Sequence, residues 1–399
     1  MSSGFLLRYI RKEQKRQKST LSLIASENLI YPEALKLASK SLINKYVEGY
    51  ANKRFYAGCQ NIDEVENYAI ELAKKLFNCS FANVQPYSGS TANFAIYKAL
   101  LKPRDIILSL EMSGGGHLTH SSKLSFVSEF YEVHTYSLDE KNLIIDYENL
   151  RNKALKLRPK LIIAGASSYP FSLDFERFRK IADEVGAYLL ADICHYSAFV
   201  ITGLHQHCFP HAHVAMFTTH KQLRGGKGAV ILWNDPSFPI NKAVFPGIQG
   251  GLNVMSLIMN TVALEKATTP EFKEYAHKIL EIASYLVKKF KQLGVEVIGT
   301  ETHMLLINTK KSFGLTGKEA TNILEQAGLI TNQNLLPFDT EAPSVASGIR
   351  IGSLTLAALN FTKEELDWLA TRIYRLLANN NKEEVKKTKT ELLKILSGK

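Results

Sequence analysis

Short runs of apolar residues, separated by longer amphipathic stretches, dominate the first two thirds of the chain. The runs are rich in Ile, Leu and Val, which is typical of strands that are buried on both faces of a sheet. They are Ile106–Leu110, Leu161–Ala164, Tyr188–Ala191, Val214–Phe217 and Val230–Trp233. Because helix-length segments such as Phe175–Val185 lie between them, the pattern predicts a mostly parallel sheet with helices on both faces.

The pattern changes beyond about residue 265. Before that point, Ile62–Phe77 carries apolar side chains at helical spacing and predicts an amphipathic helix. After it, two short strands are predicted, near Val295–Ile298 and Met304–Asn308, among helices at Lys318–Ala327 and Lys363–Leu377. We therefore expect a large α/β domain followed by a smaller C-terminal α+β domain.

Composition excludes several classes of protein. A chain that is 45% hydrophobic and 22% charged is globular rather than disordered. Its four scattered cysteines do not form a disulfide scaffold, and no apolar run approaches the roughly 18–20 residues that a membrane span needs. Without a recognisable secretory signal, we expect a soluble, reduced, cytoplasmic protein.

The net charge of +11 raises the question of a nucleic-acid partner. Residues Arg8–Lys18 carry a net charge of +5 and Lys382–Lys399 a net charge of +3, so the body of the chain is close to neutral. Solvated terminal helices explain this distribution, and attraction for anionic small molecules or nucleic acid is the alternative. The distribution argues against nucleic acid as a partner.

Two polar residues follow predicted strands, Asp192 directly and Lys221 after three residues. Ligands of such sheets bind at the carboxyl ends of the strands, and a carboxylate buried there must be paired. Pyridoxal phosphate requires this combination, because a lysine forms its Schiff base and an aspartate keeps its ring nitrogen protonated. A structural ion pair is the equally open alternative.

A segment of small hydroxyl residues precedes an apolar helix that we predict over Phe94–Leu101. Ser88, Gly89 and Ser90 would expose backbone N–H groups at the start of that helix, where its dipole favours an anion. The segment therefore fits a phosphate site, although an ordinary helix N-cap has the same composition.

Other candidate residues have structural explanations. Five potential metal ligands lie within nine residues, namely His205, His207, Cys208, His211 and His213. No second ligand cluster with zinc-finger spacing accompanies them, so we predict no metal site. His117 and His120, three residues apart, read as a structural pair or as part of a cofactor site, and the glycine-rich context favours the latter for His117.

Six blocks of the sequence resemble serine hydroxymethyltransferases and occur in that family's order. They are Leu23–Asn28, Asn44–Tyr50, Gly115–His120, Thr218–Lys221, Phe245–Gly251 and Ser347–Gly352. The resemblance runs from about Glu13 to Gly352 and, more weakly, to about residue 378. It implies a fold-type I pyridoxal-phosphate transferase with a mostly parallel seven-stranded sheet.

The resemblance also implies a domain organisation, an activity and an assembly. Residues 1–45 would form an N-terminal helical arm at a dimer interface, 46–265 the large cofactor-binding domain and 266–399 the small domain. The enzyme would interconvert serine and glycine with tetrahydrofolate as the one-carbon carrier. It would act as a homodimer with shared active sites, with amino-acid and folate substrates and without a membrane partner.

Site residues are implied by the same resemblance. Positions that match the family's cofactor site are Lys221, Asp192, His195, His117, Ser88, Gly89, Ser90, Ser167, Thr218 and Gly251. Positions that match its amino-acid site are Ser26, Tyr46, Glu48, Tyr56 and Arg350. Positions that match its folate site are Met112, Gly116, Leu118 and Asn334. The implied catalytic residues are Lys221, Glu48, His220, Asp192 and His117.

Roles follow position by position. Lys221 resembles the Schiff-base lysine, Asp192 the partner of the ring nitrogen, and His117 the imidazole that stacks on the ring. Arg350 matches the arginine that binds the substrate carboxylate, for which its planar fork is suited. Glu48 matches the acid/base glutamate near the substrate hydroxyl and folate.

The sequence departs from the family around this set. Phe55 stands where tyrosine is common, Lys227 lies in an altered glycine-rich turn, Gln333 replaces a lysine, and Ser353 begins an altered segment. These departures keep a folate-independent threonine-type aldolase or transaldolase open as an alternative. A non-catalytic basic binding protein is a further alternative, against which the retained catalytic residues argue.

Overall fold

The computed structural model describes residues 2–379 and 381–399, without the side chains of Ser2, Ser3 and Ser41. The chain divides into two compact units. The large unit is Asn28–His277, and the small unit combines Met1–Glu27 with Lys278–Lys399. The domain boundaries that the family resemblance implies, after residues 45 and 265, stay predictions.

Helices and strands alternate through the large unit. In chain order the helices of the described residues are α1 (Ser2–Lys18), α2 (Pro32–Ala38), α3 (Gln60–Phe77), α4 (Gly89–Leu100), α5 (Leu118–Ser121), α6 (Val127–Phe130), α7 (Tyr147–Leu157), α8 (Phe175–Val185), α9 (Ser197–Thr202), α10 (Ile240–Val244), α11 (Val254–Lys266), α12 (Pro270–Gln292), α13 (Thr309–Phe313), α14 (Gly317–Gln326), α15 (Leu354–Ala358), α16 (Lys363–Asn379) and α17 (Lys382–Ser397). The strands are β1 (Leu21–Ser22), β2 (Gly49–Tyr50), β3 (Lys53–Arg54), β4 (Phe81–Asn83), β5 (Ile106–Leu110), β6 (Glu132–Tyr136), β7 (Leu161–Gly165), β8 (Tyr188–Asp192), β9 (Val214–Thr218), β10 (Ala229–Trp233), β11 (Val297–Ile298), β12 (Met304–Asn308), β13 (Leu329–Ile330), β14 (Asn332–Asn334) and β15 (Gly348–Gly352). A short 3-10 helix covers Ser41–Asn44.

A seven-stranded sheet forms the centre of the large unit, in the order β4-β10-β9-β8-β7-β5-β6. Its neighbouring strands are parallel except at β10, which is antiparallel to both β9 and β4. The mostly parallel seven-stranded sheet is therefore confirmed. Because only β10 is reversed, β4 ends at the same edge as the parallel strands.

Both faces of this sheet are buried. Successive residues of β8 belong to different cores: Leu189 packs with α3 and α8 on one face, and Leu190 packs with α4 and α10 on the other. On the first face the ring of Phe77 from α3 stacks on Phe217 from β9, with centroids 4.8 Å apart. Two-sided burial explains why these strands read as continuous apolar runs.

The small unit contains an antiparallel sheet in the order β11-β12-β15-β14. Residues Leu23–Ser26 lie against the end of β15, where the N–H of Gly352 donates to the carbonyl of Leu23 at 2.7 Å. A Cβ at Gly352 would lie 2.5 Å from the Cα of Ala25, so a glycine is required for this approach. The buried imidazole of His303 donates to the carbonyl of Ala25 at 3.0 Å.

The predicted elements agree with the structure to within two residues, apart from the start of α4. That helix begins at Gly89, whereas we predicted a start at Phe94. The prediction was wrong because Ser, Thr and Asn read as loop residues, yet Asn93 is buried within the helix. Eight strands of the described residues, β1–β4, β6 and β13–β15, were not predicted, since they are short or carry polar residues.

In the part of the chain that the structure describes, no helix is long and apolar enough to cross a membrane.

The stacked pair of Phe77 and Phe217 gives a test of the two-sided core. We expect Phe77→Ala to lower the free energy of unfolding by about 3–5 kcal/mol, because it leaves a cavity between α3 and β9. Urea denaturation measures this, with Tyr68→Ala as the control on the exposed face of the same helix. A loss no larger than that of the control would contradict the packing.

Candidate active site

The carboxyl ends of the parallel strands bring the predicted cofactor residues to one edge of the large sheet. Gly165 ends β7, Asp192 ends β8 and Thr218 ends β9, and the three strands are neighbours in this order. Lys221 follows β9 after two residues. This edge is where ligands bind in sheets of this type.

Lys221 is held on both sides. Its Nζ lies 3.1 Å from Nε2 of His195, and its main-chain carbonyl accepts from Nδ2 of Asn28 at 2.7 Å. Gln222 fixes His195 in turn, because its Nε2 donates to the carbonyl of His195 at 2.8 Å. The amine and the imidazole thus have a defined geometry.

Asp192 is buried and ionised. Its Oδ2 lies 3.1 Å from Nε2 of His120, and its Oδ1 accepts from the N–H of Cys194 at 3.1 Å. Burial acts to raise the pKa of Asp192, but the hydrogen bond from His120 and the positive potential of that imidazole hold the pKa well below its usual range. A permanently charged carboxylate therefore lies at the sheet edge.

His117 lies at the start of α5, where its Nδ1 accepts from the N–H of Thr119 at 3.2 Å. Its ring centroid is 5.3 Å from that of His120. Burial and the neighbouring His120 lower the pKa of His117 to about 4. The imidazole is consequently neutral near pH 7, as suits a ring that stacks on another flat group.

The residues predicted to bind phosphate lie at the start of α4. Ser88 is the N-cap, and its Oγ accepts from the N–H of Thr91 at 3.2 Å. Gly89 packs closely on the end of β9, since a Cβ there would lie 2.9 Å from Cγ2 of Thr218. Ser90 is half-buried in the first turn of this twelve-residue helix.

Glu48 lies beside a glycine turn. It precedes the hairpin of β2 and β3, and a Cβ at Gly250 would lie 3.4 Å from its Oε1 and 3.7 Å from the hydroxyl of Tyr46. Tyr46 packs edge-on against Tyr56, with ring centroids 5.2 Å apart. The phenol of Tyr87 donates to the carbonyl of Gly251. The predicted residues Tyr46, Glu48, Tyr56 and Gly251 are therefore neighbours within one chain.

The small unit carries the other predicted amino-acid residues. Arg350 is buried in β15, and its Nε donates to Oδ1 of Asn332 at 3.3 Å. Burial lowers the pKa of Arg350 to about 10. Ser26 is half-buried in the segment that packs on Gly352.

The predicted folate residues lie in both units. Met112, Gly116 and Leu118 surround the tight turn after β5, in which the N–H of Gly116 donates to the carbonyl of Glu111 at 2.8 Å. Leu118 is 58% exposed, so it is accessible to a ligand. Asn334, in β14 of the small unit, is half-buried.

Two remaining predicted residues border this turn and Lys221. The N–H of Ser167 donates to the carbonyl of Gly115 at 2.7 Å, which joins the end of β7 to the turn after β5. His220 is half-buried, and burial together with the charges of Lys221 and Lys227 lowers its pKa to about 4.

Sequence reasoning missed several residues that orient the site. His120 holds Asp192, and Nδ2 of Asn93 lies 3.0 Å from the hydroxyl of Thr119 and 3.0 Å from Nε2 of His120. The spacing of His117 and His120 was a signal for the first of these contacts. Asn93 and Gln222 gave no signal, because their partners lie more than twenty residues away in the sequence.

The departures from the family are accommodated locally. Phe55 is 72% exposed, and its ring packs against Phe245 with centroids 5.6 Å apart. Gln333 and Ser353 each donate to a main-chain carbonyl at 2.8 Å. Lys227 is exposed.

The histidine cluster has other partners. His205 accepts from the N–H of Leu173 at 3.0 Å through Nε2, and its Nδ1 lies 2.8 Å from the carbonyl of Gln206. Among the described residues, no group of three or more His, Cys, Asp or Glu side chains is arranged to hold a metal ion.

Cys194 lies between Asp192 and His195. Its Sγ is 3.6 Å from Sδ of Met216 in a buried environment. Burial and the adjacent charge of Asp192 raise the pKa of the Cys194 thiol far above its ordinary value. The side chain is consequently a protonated thiol.

Comparisons with known proteins agree with the resemblance. The family model described as serine hydroxymethyltransferase matches residues 4–373. A protein of Rickettsia bellii named probable serine hydroxymethyltransferase is 42% identical over 396 residues, which cover 97% of this chain and 94% of that protein. The serine hydroxymethyltransferase of Phytoplasma australiense is 45% identical over 378 residues, or 93% of this chain and 92% of its own. That of Metamycoplasma arthritidis is 44% identical over 391 residues, covering 97% and 93%.

The two neutral imidazoles predict a pH dependence of stability. His117 and His220 have pKa values of about 4 in the folded protein, below the 6.5 of an exposed histidine. Protons therefore bind the unfolded chain preferentially, so the free energy of unfolding falls as the pH drops from about 6.5 to about 4. We expect roughly 1–3 kcal/mol for each imidazole in the cofactor-free protein.

Denaturant titrations at several pH values measure this effect. The double variant with His117→Asn and His220→Asn should lose most of this dependence, whereas His277→Asn, at an exposed position of the same unit, should keep it. An unchanged slope in the double variant would contradict the assignment.

Proposed function

Because the chain belongs to the serine hydroxymethyltransferase family, we propose that it interconverts serine and glycine with pyridoxal phosphate as cofactor and tetrahydrofolate as one-carbon carrier. The observation that carries this proposal is the buried, ionised Asp192, which lies at the same sheet edge as the amine of Lys221. A charged carboxylate at this position is what a protonated pyridine nitrogen requires.

The residues at the sheet edge fit the proposed cofactor. Ser88, Gly89 and Ser90 at the start of α4 would hold the phosphate with backbone N–H groups and hydroxyls, assisted by the helix dipole. Asp192 would bind the ring nitrogen, and the neutral His117 would stack on the ring. When bound, pyridoxal phosphate supplies an aldehyde for amines and a ring that accepts electrons.

Lys221 would supply the amine, and His195 would accept a proton from it. An amine attacks a carbonyl only in its neutral form, and an imidazole 3.1 Å from Nζ is placed to accept the proton. Asn28 and Gln222 hold the two partners through their main-chain carbonyls. We therefore assign Lys221 as the catalytic lysine and His195 as its proton partner.

Arg350 would bind the carboxylate of serine or glycine. Its guanidinium is buried, and burial lowers its pKa to about 10, so an anionic ligand would stabilise its charge. The five donors of the guanidinium allow a bidentate contact. Ser26, on the segment that packs against Gly352, would complete the pocket.

Glu48 would place a proton at the one-carbon unit as it moves between serine and tetrahydrofolate. Its carboxyl lies beside the Gly250–Gly251 turn and Tyr46, on a hairpin with fixed geometry. Tetrahydrofolate would bind near Met112, Gly116, Leu118 and Asn334. Cytoplasmic localisation is part of the same proposal.

A homodimer with shared sites would place some of these groups on the partner's cofactor. Tyr46 and Glu48 lie beside the Gly250–Gly251 turn of the large unit, and the aromatic side chains of Tyr46, Phe55 and Tyr56 are 47–72% exposed. Exposed aromatic side chains beside a carboxylate fit a surface that a second copy covers.

Replacement of Asp192 tests the cofactor site. Asp192→Asn keeps the shape of the side chain but removes the charge that holds the ring proton, so serine cleavage should fall by at least 100-fold while the yellow cofactor remains bound. Asp174→Asn, at the N-cap of α8, is the matched control, because asparagine caps a helix equally well. Undiminished serine cleavage in Asp192→Asn would refute this role.

Replacement of Glu48 tests the dependence on folate. If folate takes the one-carbon unit, Glu48→Gln should suppress tetrahydrofolate-dependent cleavage of serine far more than cleavage of threonine, because only the former needs a proton placed during transfer. Steady-state rates with both amino acids, with and without tetrahydrofolate, measure this. A rate of serine turnover that does not depend on tetrahydrofolate, together with rapid cleavage of threonine by the unmutated protein, would favour the aldolase.

A further inference from the structure

Gln85 is a buried residue of the large unit, between β4 and the start of α4. It follows β4 and precedes the N-cap Ser88 by three residues, and it is 4% exposed. Its Nε2 donates two hydrogen bonds, one to the carbonyl of Gly49 at 3.0 Å and one to Oε1 of Glu66 at 2.6 Å. The main-chain carbonyl of Gln85 accepts a hydrogen bond from Nε2 of Gln249 at 2.9 Å.

Gln249 extends these bonds to the glycine turn. It is buried and directly precedes Gly250. Its Nε2 binds the carbonyl of Gln85, and its Oε1 accepts from the N–H of Tyr87 at 3.3 Å. The phenol of Tyr87 reaches back to the carbonyl of Gly251. Residues 85–87 and residues 249–251 are therefore joined by hydrogen bonds that each segment donates to the other.

The carbonyl of Gly49 belongs to the hairpin that follows Glu48. It also accepts from Nη1 of Arg54, whose Nη2 is bonded to the carboxylate of Glu66. The N–H of Phe55 donates to the carbonyl of Glu48 at 3.1 Å, so the hairpin strands are paired as far as Glu48. Through Gly49, Gln85 thus holds the main chain next to Glu48.

We propose that Gln85 and Gln249 are positioning residues that couple the start of α4 to the Glu48 hairpin and the Gly250–Gly251 turn. The proposal rests on the proposed function, which assigns the phosphate to α4 and the proton transfer to Glu48. Neither glutamine is proposed to touch a substrate. Each holds main-chain atoms of a segment whose other residues are proposed to contact the substrate or the cofactor.

The amide chemistry of Gln85 supports this coupling. An apolar side chain of similar size fills the same space without the free-energy cost of burying an amide. What the amide adds is two donors at fixed angles, aimed at a carbonyl and a carboxylate that otherwise keep only their bonds to Arg54 among the contacts described above. The two hydrogen bonds of the amide therefore fix the positions of the hairpin and of Glu66.

Gln85→Leu is the variant that removes the coupling. Tyr136→Phe is the matched control, because it deletes one buried hydrogen bond, from the phenol to the carbonyl of Ile163, in the same sheet. In Gln85→Leu we expect kcat for tetrahydrofolate-dependent serine cleavage to fall roughly 10- to 100-fold, since a displacement of about 1 Å at a catalytic group has that effect. KM for serine should change less than threefold.

A double variant separates positioning from general damage. In the Glu48→Gln background, Gln85→Leu should cause little further loss of serine turnover, because the group that it positions is already disabled. The dissociation constant of pyridoxal phosphate, measured by absorbance titration, should still rise about tenfold through the displaced start of α4.

Hydrogen–deuterium exchange gives a readout that does not depend on turnover. In the unmutated protein, addition of pyridoxal phosphate should slow exchange in residues 47–56. In Gln85→Leu the same addition should leave this segment unprotected. Equal protection in both proteins, or kinetics that match those of Tyr136→Phe, would overturn the proposal.

If Gln85→Leu does not fold, Gln249→Leu tests the same coupling, since it leaves the bonds to Gly49 and Glu66 intact. It should raise the dissociation constant of pyridoxal phosphate, and an unchanged value would overturn the proposal. An unmutated protein that neither binds pyridoxal phosphate nor cleaves serine would refute the proposed function instead.

Discussion

The hydrogen bond between His120 and Asp192 is the interaction on which the rest of the site depends. A buried carboxylate stays charged only if other hydrogen bonds replace those of water, and the imidazole of His120 provides one at 3.1 Å. His120 belongs to α5, which His117 caps, and its imidazole also lies 3.0 Å from the amide of Asn93 in α4. The imidazole therefore joins the end of β8 to α5, and the bond from Asn93 to the hydroxyl of Thr119 joins the helix proposed to bind phosphate to the same α5.

In the small unit, backbone contacts fix the position of Arg350. Arg350 lies in the middle of β15, paired in register with Leu306 on one side and Asn332 on the other. The backbone of Leu23–Ser26 approaches the end of this strand so closely that only a glycine fits at residue 352. Ser26 and Arg350 are therefore fixed relative to each other by main-chain contacts.

The apolar runs predicted most of the sheet, because strands buried on both faces have no polar positions. The same reasoning located Asp192 and Lys221, which follow such runs. It failed for β6, whose exposed positions carry polar residues, and for the start of α4. Glu48 and Arg350 were recognised only through the family resemblance, and Gln85 not at all, since its partners Gly49 and Gln249 are brought together by the fold.

The state of Cys194 has a consequence for chemical selectivity. The thiol of Cys194 lies at the sheet edge that carries Asp192 and Lys221, and the charges of both act on its pKa, which burial and Asp192 raise. A thiolate would capture carbonyl compounds and alkylating reagents, but burial and Asp192 keep this sulfur protonated and thus unreactive. The carboxylate that serves the proposed cofactor ring therefore also keeps the neighbouring sulfur unreactive toward electrophiles that enter the site.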